Sequence, residues 1–361
     1  MDGVGVSAEI TASELPSQWP WGIFAGLEES LRLLEGLPLT VRAMREGTLF
    51  RARSRQGIPV PVMCIEGAYA SFSIYETPLL GFLCQSSGVA TMSARYRRAA
   101  GDRRLLSFGI RRAHPAIAPM IDRSSFIGGC DAVSSVIGGR TIGHPPEGTM
   151  PHAEVLLFGD SRRAFDAYSR SVPPGVKKIA LVDTFADEKS EAVAAAETIP
   201  DLYAVRLDTP RSRRGSFPSI ISEVRWELDA RGFADVRIFV SGGLREEELP
   251  QLARAGADGF GVGTAISNAP VIDYALDIVN VGGRSYAKRG KYSGAKSVFR
   301  CPSCMEFDVL HAGNEVPACP SCGSREENIL HTLIDGGRRT AAAESPDAIR
   351  ERVLAELGRL P

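Results

Sequence analysis

Four cysteines in two closely spaced pairs are the clearest candidates for chemistry in this sequence. They form the motifs CPSC (301–304) and CPSC (319–322), with fourteen residues between them. Two such pairs allow four thiolates to surround one Zn²⁺ tetrahedrally, as in a zinc ribbon. We expect a structural zinc site, because four sulfur ligands leave no open coordination position for catalysis. Its predicted ligands are Cys301, Cys304, Cys319 and Cys322.

Two aspartates each follow a strongly apolar segment. Asp183 lies in LVDTF and Asp208 in RLDTP. A carboxylate at the end of a strand, near phosphate-binding turns, could bind ribose hydroxyls or Mg²⁺. One such aspartate could simply cap a helix. Two of them in equivalent places favour a catalytic site.

Glycine-rich turns follow two late apolar segments, VSGGL (240–244) and GFGVGTA (259–265). Adjacent glycines let backbone N–H groups approach a phosphate, and a helix that begins after them adds a favourable dipole. In β/α barrels, phosphate sites commonly follow the last two strands. The alternative is that these are tight turns that merely need small residues.

A histidine and an arginine complete the set of candidates. His152 closes GTMPHA (148–153) and opens a predicted helix, HAEVLLFGDSRRAFDAYSR, where it could equally be a capping or packing residue. Arg111, in FGIRRAHP (108–115), follows an apolar segment. Its guanidinium could stack on a flat ring, hold a carboxylate or pair with phosphate.

Alternating strand and helix patterns must position these residues. Residues 105–280 alternate apolar segments with amphipathic ones, which predicts a parallel sheet of six or seven strands. Their polar ends, Asp131 and Ser241 included, would share one face of an irregular, incomplete β/α barrel; an open doubly wound sheet is the alternative. Residues 1–104 predict an N-terminal α/β domain, with a helix over 22–37 and a helix pair over 73–101 that is broken near Pro78 and Gly88. Residues 281–361 predict a linker, the ribbon and a terminal helix over 344–360.

The composition narrows the classes of protein. The chain has 361 residues, 42 Lys+Arg, 43 Asp+Glu and a net charge of −1, so we do not expect a polybasic protein that coats nucleic acid or a membrane. We see no secretory signal and no apolar run of the roughly 18 residues that a membrane helix needs. The other three cysteines are isolated in apolar surroundings, which indicates buried free thiols and a cytoplasmic protein. They are Cys64, Cys84 and Cys130.

Taken together, these motifs resemble those of nicotinate phosphoribosyltransferases of the short type with a cysteine-rich C-terminal module. The resemblance runs from about residue 21 to 330 and includes EGTLF (46–50), YETPLLGFL (75–83), GGCDAVSS (128–135) and AKRGKYSGAK (287–296). It implies an α/β domain packed on an incomplete barrel, and a homodimer or larger homo-oligomer with the active site at its interface. It also implies the reaction of nicotinate with phosphoribosyl pyrophosphate and Mg²⁺ to give nicotinate mononucleotide and pyrophosphate, coupled to ATP through a phosphohistidine.

The resemblance implies a role for each matching residue. His152 would be the phosphorylated histidine. Asp183 and Asp208, from their position at the ends of strands, are expected to act on the ribose beside it. The remaining residues would bind substrate: Thr149 near nicotinate, Arg206 on a ligand, Arg111 on the pyridine and phosphate, Asp131 beside the base, and Gly242, Gly243, Gly263 and Thr264 around the 5′-phosphate. The family's Thr-Asp-x-Tyr motif, whose aromatic stacks on nicotinate, is replaced here by PSQWPWGIFAG (16–26); Trp19, Trp21 or Phe24 would supply that ring, and the alternative is that all three are core residues. Quinolinate or nicotinamide as the base, and a zinc-ribbon nucleic-acid-binding or scaffold protein on an inactive barrel, remain alternatives.

Overall fold

The strands form one parallel and several antiparallel sheets in a computed structural model that describes residues 3–212 and 215–360. In chain order the strands are β1 (Gly5–Ala12), β2 (Gly22–Ile23), β3 (Leu39–Ala43), β4 (Leu49–Phe50), β5 (Pro61–Ala68), β6 (Arg104–Ser107), β7 (Ala132–Val133), β8 (Lys178–Leu181), β9 (Leu202–Leu207), β10 (Arg237–Val240), β11 (Gly259–Val262), β12 (Tyr274–Val281), β13 (Arg284–Ser285), β14 (Lys296–Arg300), β15 (Phe307–His311), β16 (Glu327–Asn328), β17 (His331–Asp335) and β18 (Arg338–Arg339).

The helices differ from the predicted ones both in number and in where they begin and end. In chain order they are α1 (Leu27–Leu34), α2 (Tyr69–Phe72), α3 (Glu76–Ala100), α4 (Ala118–Ile127), α5 (Val136–Ile142), α6 (His152–Phe158), α7 (Ser161–Ser171), α8 (Glu188–Thr198), α9 (Phe217–Ala230), α10 (Leu249–Arg254), α11 (Thr264–Ser267) and α12 (Pro346–Leu357). Short 3₁₀ turns cover Pro16–Gln18, Ser73–Tyr75, Gly109–Arg112, Pro115–Ile117 and Glu246–Glu248.

Residues Met92–Ala269 form one compact unit, the barrel unit, around a six-stranded parallel sheet. The strand order is β7-β6-β11-β10-β9-β8, so the chain passes round the sheet in sequence and leaves β7 and β8 as the two edges. Leu106, Ile179, Ala204 and Phe239 pack in its core. The predicted incomplete β/α barrel is confirmed, and the doubly wound alternative is wrong.

The segment that carries the GTMPH motif is hydrogen-bonded to both edge strands. The N–H of Glu147 donates to the carbonyl of Val133 on β7 at 2.9 Å, and the N–H of Met150 donates to Ile179 on β8 at 3.2 Å. The edge strands β7 and β8 are thus both hydrogen-bonded to the segment 147–150, which is not itself a strand. The opening between β7 and β8 therefore holds Thr149 and leads directly into His152.

The remaining described residues, up to Thr91 and from Pro270 onward, form a second unit, the sheet unit. Its antiparallel sheet has the order β13-β12-β1-β5-β3-β17-β18, which mixes strands from both ends of the chain. β14, β15 and β16 form a separate small sheet that carries the cysteines. The predicted boundaries near 104 and 280 instead divide the two ends of the chain into separate domains.

Three helix predictions change for reasons of local chemistry. The expected helix pair over 73–101 is wrong: α3 is continuous, because Pro78 lies in its first turn, where a missing N–H costs nothing. The helix expected from residue 22 begins only at Leu27, after Gly26 with φ +87°. The helix expected from His152 is two helices, since Gly159 with φ +65° ends α6. The predicted terminal helix is confirmed as α12, capped by Ser345.

Within the described residues, no helix is both long enough and apolar enough to span a membrane.

Candidate active site and metal centre

The carboxyl ends of the parallel strands bring most of the predicted site residues to one edge of the barrel unit. Asp183 follows β8 by two residues, Asp208 directly follows β9, Ser241 directly follows β10 and Gly263 directly follows β11. Because parallel strands all end on the same side, their following residues meet there. The expected placement is confirmed for these four positions.

A histidine and a buried aspartate lie in contact at this edge. Nε2 of His152 is 3.1 Å from Oδ1 of Asp183, whose side chain is 2% exposed. Oδ2 of Asp183 accepts hydrogen bonds from the N–H of Asp208 (2.8 Å) and the hydroxyl of Thr209 (3.2 Å). Burial raises the pKa of Asp183, although the bond from Asp208 and the nearby His152 oppose the rise. Oδ1 itself accepts no hydrogen bond among the described residues, so His152 and Asp183 form a close polar contact and not an aligned hydrogen bond.

Arg206 lies under the same edge and is held by its neighbours. Its Nη1 donates to the hydroxyl of Ser241 at 3.1 Å and lies 3.3 Å from Oδ2 of Asp208, while Nη2 donates to the carbonyl of Met150 at 3.4 Å. Ser241 in turn donates to Oδ1 of Asp208 at 2.6 Å. Burial lowers the pKa of Arg206, as does the charge of Arg111, while the charges of Asp208 and Asp183 oppose this. Because the charge of Arg111 acts on Arg206, the Arg111 side chain lies near the cluster of Arg206, Asp208 and Ser241.

The loops after β6 and β11 touch each other, which places the Arg111 loop beside a glycine turn. A Cβ added to Gly109 would lie 2.4 Å from the carbonyl oxygen of Gly263. Arg111 is exposed and forms no ion pair among the described residues. Gly242 has φ +92°, and an added Cβ there would lie 3.1 Å from the carbonyl oxygen of Asp208. Gly243 also has a positive φ, +66°, whereas Thr264 is exposed at the start of the four-residue α11.

Asp131 lies elsewhere, and its expected position at a carboxyl end is wrong. It directly precedes β7, at the amino edge of the sheet. Its Oδ2 accepts hydrogen bonds from Arg97 and from the N–H of Leu105, both at 2.8 Å. The apolar segment around it, FIGGCDAVSSV (126–136), is not one strand, because its first two residues end α4 and only Ala132–Val133 form β7. The structure therefore does not bring Asp131 together with His152 and Arg206.

Three polar residues that we did not predict complete the hydrogen bonding around Asp183. Thr209 donates to both Asp183 and Glu188, and Glu191 accepts bonds from the turn that follows Asp183. The sequence contains a signal for two of these residues, Thr209 and Glu191. Both LVDTF and RLDTP contain Asp-Thr, and Glu191 falls on the small apolar stripe of α8, which includes Ala192 and Ala195.

The predicted aromatic partners of nicotinate are buried in the sheet unit. Trp19 is 8% exposed, Trp21 is 5% exposed and Phe24 is completely buried. These side chains are therefore core residues, and none presents an open ring face. Among the isolated cysteines, Cys64 and Cys130 are buried as expected, whereas Cys84 is half-buried.

The four C-terminal cysteines converge as the metal prediction requires. Their sulfur atoms all lie within 4.8 Å of one another. The closest pairs are Cys301–Cys322 at 3.4 Å and Cys304–Cys319 at 3.5 Å. Zn–S bonds of 2.3 Å in a tetrahedron place sulfurs about 3.8 Å apart, so the cluster fits one Zn²⁺.

An arginine from the N-terminal segment touches this cluster. Nη1 of Arg55 lies 3.1 Å from Sγ of Cys319, and its other nitrogens bond the carboxylates of Asp308 and Glu326. Burial raises the pKa of Cys319, but the hydrogen bonds from Arg55 and from the backbone of Ser321 and Cys322 outweigh it and lower that pKa to about 6. A thiolate, the form that binds metal, is therefore favoured.

Known proteins match most of the length of this chain in sequence or in fold. A model described as the C-terminal domain of quinolinate phosphoribosyl transferase matches residues 89–277, and the corresponding N-terminal domain matches residues 1–87. A nicotinate phosphoribosyltransferase of Mycobacterium tuberculosis is 30% identical over 98% of this chain and 85% of its own length. A second one from that organism is 33% identical over 92% and 72%.

Two solved structures agree with these matches. A nicotinate-nucleotide pyrophosphorylase from Pyrococcus furiosus has a TM-score of 0.94 and 48% identity, covering 99% of this chain and 90% of its own. The human nicotinic acid phosphoribosyltransferase, at 22% identity, has a TM-score of 0.81 with the same coverage and thus shares the fold. Fold and matched domains define the class of phosphoribosyltransferases that includes the quinolinate enzymes. Within this class, the chain belongs to the nicotinate phosphoribosyltransferase family, as its motifs indicate.

Proposed function

We propose that this chain transfers the phosphoribosyl group of phosphoribosyl pyrophosphate to nicotinate, giving nicotinate mononucleotide and pyrophosphate for NAD biosynthesis. The names of the curated relatives support this activity. The observation that carries it is the contact between His152 and Asp183 beside the Arg206–Asp208 pair. This arrangement matches the motif residues on which the family resemblance rests.

The chain's own residues divide the chemistry between them. Breaking the bond between ribose and pyrophosphate builds positive charge on the sugar, which carboxylates can orient and stabilise. Asp183 and Asp208 supply these carboxylates, and Arg111, which is free of ion pairs among the described residues, can hold the carboxylate of nicotinate. Thr149 lies on the segment next to them and would line the pyridine site.

Two turns are proposed to hold the 5′-phosphate. β10 and β11 are neighbours in the sheet, so the turns after them lie side by side. Backbone N–H groups at Gly242, Gly243, Gly263 and Thr264 would donate to the phosphate oxygens. Mg²⁺ usually binds one or two carboxylates together with substrate phosphates, a role that suits Asp183 and Asp208 and would neutralise charge on the pyrophosphate.

ATP use is a separate part of the proposal. A neutral imidazole can accept a phosphoryl group, and His152, 41% exposed at its side chain, is accessible to ATP. Asp183 would hold the imidazole in one orientation. Phosphorylation of His152 would then bias the enzyme towards pyrophosphate release.

The name of one similar protein suggests a second possible substrate base, quinolinate. The Pyrococcus furiosus protein, 48% identical, is named a nicotinate-nucleotide pyrophosphorylase, so quinolinate is the main alternative substrate. Quinolinate carries two carboxylates and calls for more cations than nicotinate does. Arg206 is already paired with Asp208, which leaves Arg111 as the free guanidinium of this cluster among the described residues. The charge balance thus favours nicotinate; nicotinamide, which has no carboxylate, would leave Arg111 unused.

We further propose that the four cysteines hold a structural Zn²⁺ and that the protein works in the cytoplasm as a homodimer or larger homo-oligomer. Exposed apolar residues on α6, Leu156 and Leu157, support a contact between copies.

Purified protein supplied with nicotinate, phosphoribosyl pyrophosphate and Mg²⁺ tests the proposed function. We expect nicotinate mononucleotide and pyrophosphate in equal amounts, at a higher rate with ATP. No mononucleotide from nicotinate, together with conversion of quinolinate, would contradict the proposal.

A further inference from the structure

A buried carboxylate binds the turn that follows Asp183. Glu191, on α8, is 2% exposed. Its oxygens accept hydrogen bonds from three consecutive backbone N–H groups, those of Thr184 (2.9 Å), Phe185 (3.0 Å) and Ala186 (3.3 Å). Such a row of amides forms an anion-binding nest, and here the anion is part of the chain.

The same carboxylate also reaches the segment after His152. The hydroxyl of Ser161 donates to Oε1 of Glu191 at 2.5 Å. Ser161 begins α7, and two residues separate it from the end of α6, the helix that His152 opens. Glu191 is therefore bonded both to the turn after Asp183 and to the start of the helix that follows the His152 helix.

A purely structural explanation of Glu191 is weaker. α8 already has a cap, since Asp187 accepts a bond from the N–H of Ser190 at 2.9 Å. No ion pair to Glu191 forms among the described residues, so neutral donors alone compensate this buried charge. A buried ionised group held in this way costs desolvation, and this cost must be offset by what the group fixes in place.

We propose that Glu191 is a positioning residue that fixes the turn 184–186 and thereby the distance between Asp183 and His152. It touches neither member of the pair and acts through the backbone and Ser161. The effect on activity rests on the proposed function, whereas the effect on the turn does not.

Replacement of the carboxylate tests this inference. In Glu191→Ala, three amides and a hydroxyl lose their acceptor, so we expect kcat with nicotinate to fall about 100-fold, the size of effect expected when a reacting group is misplaced by about 1 Å. The KM for nicotinate should change little. Formate, a small carboxylate that fits the emptied nest, should restore about a tenth or more of the lost rate. Glu197→Ala, which removes an exposed carboxylate of the same helix paired with Arg162, is the matched control and should stay within about twofold of wild type.

Hydrogen–deuterium exchange of residues 182–190 supplies a readout that needs no activity. We expect exchange there to become about tenfold faster in Glu191→Ala and to slow again with formate. Should Glu191→Ala not fold, Glu191→Gln, which keeps the size and one acceptor oxygen, should show the same changes to a smaller degree. Wild-type rates in the variant, or a loss that formate does not restore while exchange is unchanged, would overturn the inference. An inactive wild-type protein with formate-sensitive exchange in the variant would overturn the proposed function alone.

Discussion

The central interaction at the scale of single residues is the contact between His152 and Asp183. A buried carboxylate is stabilised by hydrogen-bond donors and by nearby positive charge. At Asp183 the hydroxyl of Thr209 donates a hydrogen bond, and the imidazole of His152 lies in contact. Because the side chain of His152 is 41% exposed, one side of the imidazole contacts Asp183 and the other is open to a ligand. This is the arrangement that a phosphoryl acceptor needs.

Substitution of His152 should separate the two activities. In His152→Ala we expect the ATP-independent transfer to persist within about tenfold, while ATP stimulation and acid-labile labelling by [γ-³²P]ATP disappear. The measurement is the rate of mononucleotide formation with and without ATP. His311→Ala, on β15 of the sheet unit, is the control and should keep both. Undiminished ATP stimulation in His152→Ala would remove the proposed role.

The sequence identifies single residues well where their chemistry is local. The CPSC pairs and the Asp-Thr strand ends are visible in short motifs, and the structure brings these residues together. Asp131 was misplaced because the segment around it is apolar for two reasons, a buried helix and a short strand, which hydrophobicity alone does not distinguish. Arg55 was missed because its partners, Asp308 and Glu326, are distant in the chain.

At the scale of elements, the close approach of two backbone segments explains a glycine inside α3 that the local sequence pattern does not explain. Gly88 lies inside α3, where glycine weakens a helix, and its position suggested a break. In the structure a Cβ there would lie 2.3 Å from the carbonyl oxygen of Pro270. The glycine is present because the chain before β12 passes directly over the helix.

Two glycines of α3 provide a matched test of this packing. Gly88→Ala should lower the free energy of unfolding by about 1–3 kcal/mol, because backbone atoms must move to make room. Gly81→Ala, with nothing within 4 Å of the added Cβ, should be neutral or raise it by up to about 1 kcal/mol. Chemical denaturation measures both. Equal effects of the two substitutions would contradict the close approach.

Arg55 connects the loop after β4 to the metal centre. Arg55→Gln removes the hydrogen bond to Cys319 and the charge that pairs with Glu326 and Asp308, and it leaves Asp308 with the neutral donor Gln56, so we expect zinc affinity to fall about 10- to 100-fold. Transfer of zinc to a chromogenic chelator measures the change. Arg53→Gln is the control. The side chain of Arg53 lies on the same loop and, among the described residues, bonds only the carbonyl of Gly57, so this variant should release zinc at the wild-type rate. Identical release from both variants would show that Arg55 does not support the site.

The strand β12 carries a buried aspartate whose charge depends on two lysines. Asp277 lies 2.8 Å from the ammonium groups of Lys288 and Lys291. Burial raises its pKa, but the two lysines outweigh this and hold the pKa below the ordinary value. A lowered folded-state pKa contributes stability above the unfolded value of about 4, and this is lost as the pH falls through the folded value.

Asp277→Asn should therefore lower the free energy of unfolding by about 1–3 kcal/mol at neutral pH, with a difference from wild type that shrinks below about pH 4. Denaturation across pH measures it, with the exposed Asp273→Asn as the control, expected within about 0.5 kcal/mol of wild type. A difference independent of pH would show that the charge of Asp277 is not the cause.

At the scale of the whole molecule, the barrel was predictable and the sheet unit was not. The parallel strands of the barrel unit follow one another in sequence, so their alternation with helices indicates their order. In the sheet unit, β1 pairs with β12 and β3 with β17, partners from opposite ends of the chain. Local patterns reveal such strands but not their pairing, which is why separate terminal domains were expected.

The most direct test of the account is a comparison of kcat/KM for nicotinate, quinolinate and nicotinamide under identical conditions, with phosphoribosyl pyrophosphate, Mg²⁺ and ATP. Arg111, the guanidinium of this cluster that has no ion pair among the described residues, matches one carboxylate, so we expect nicotinate to be preferred by about 100-fold or more over the other two bases. Equal or faster use of quinolinate, with release of carbon dioxide, would contradict the central claim.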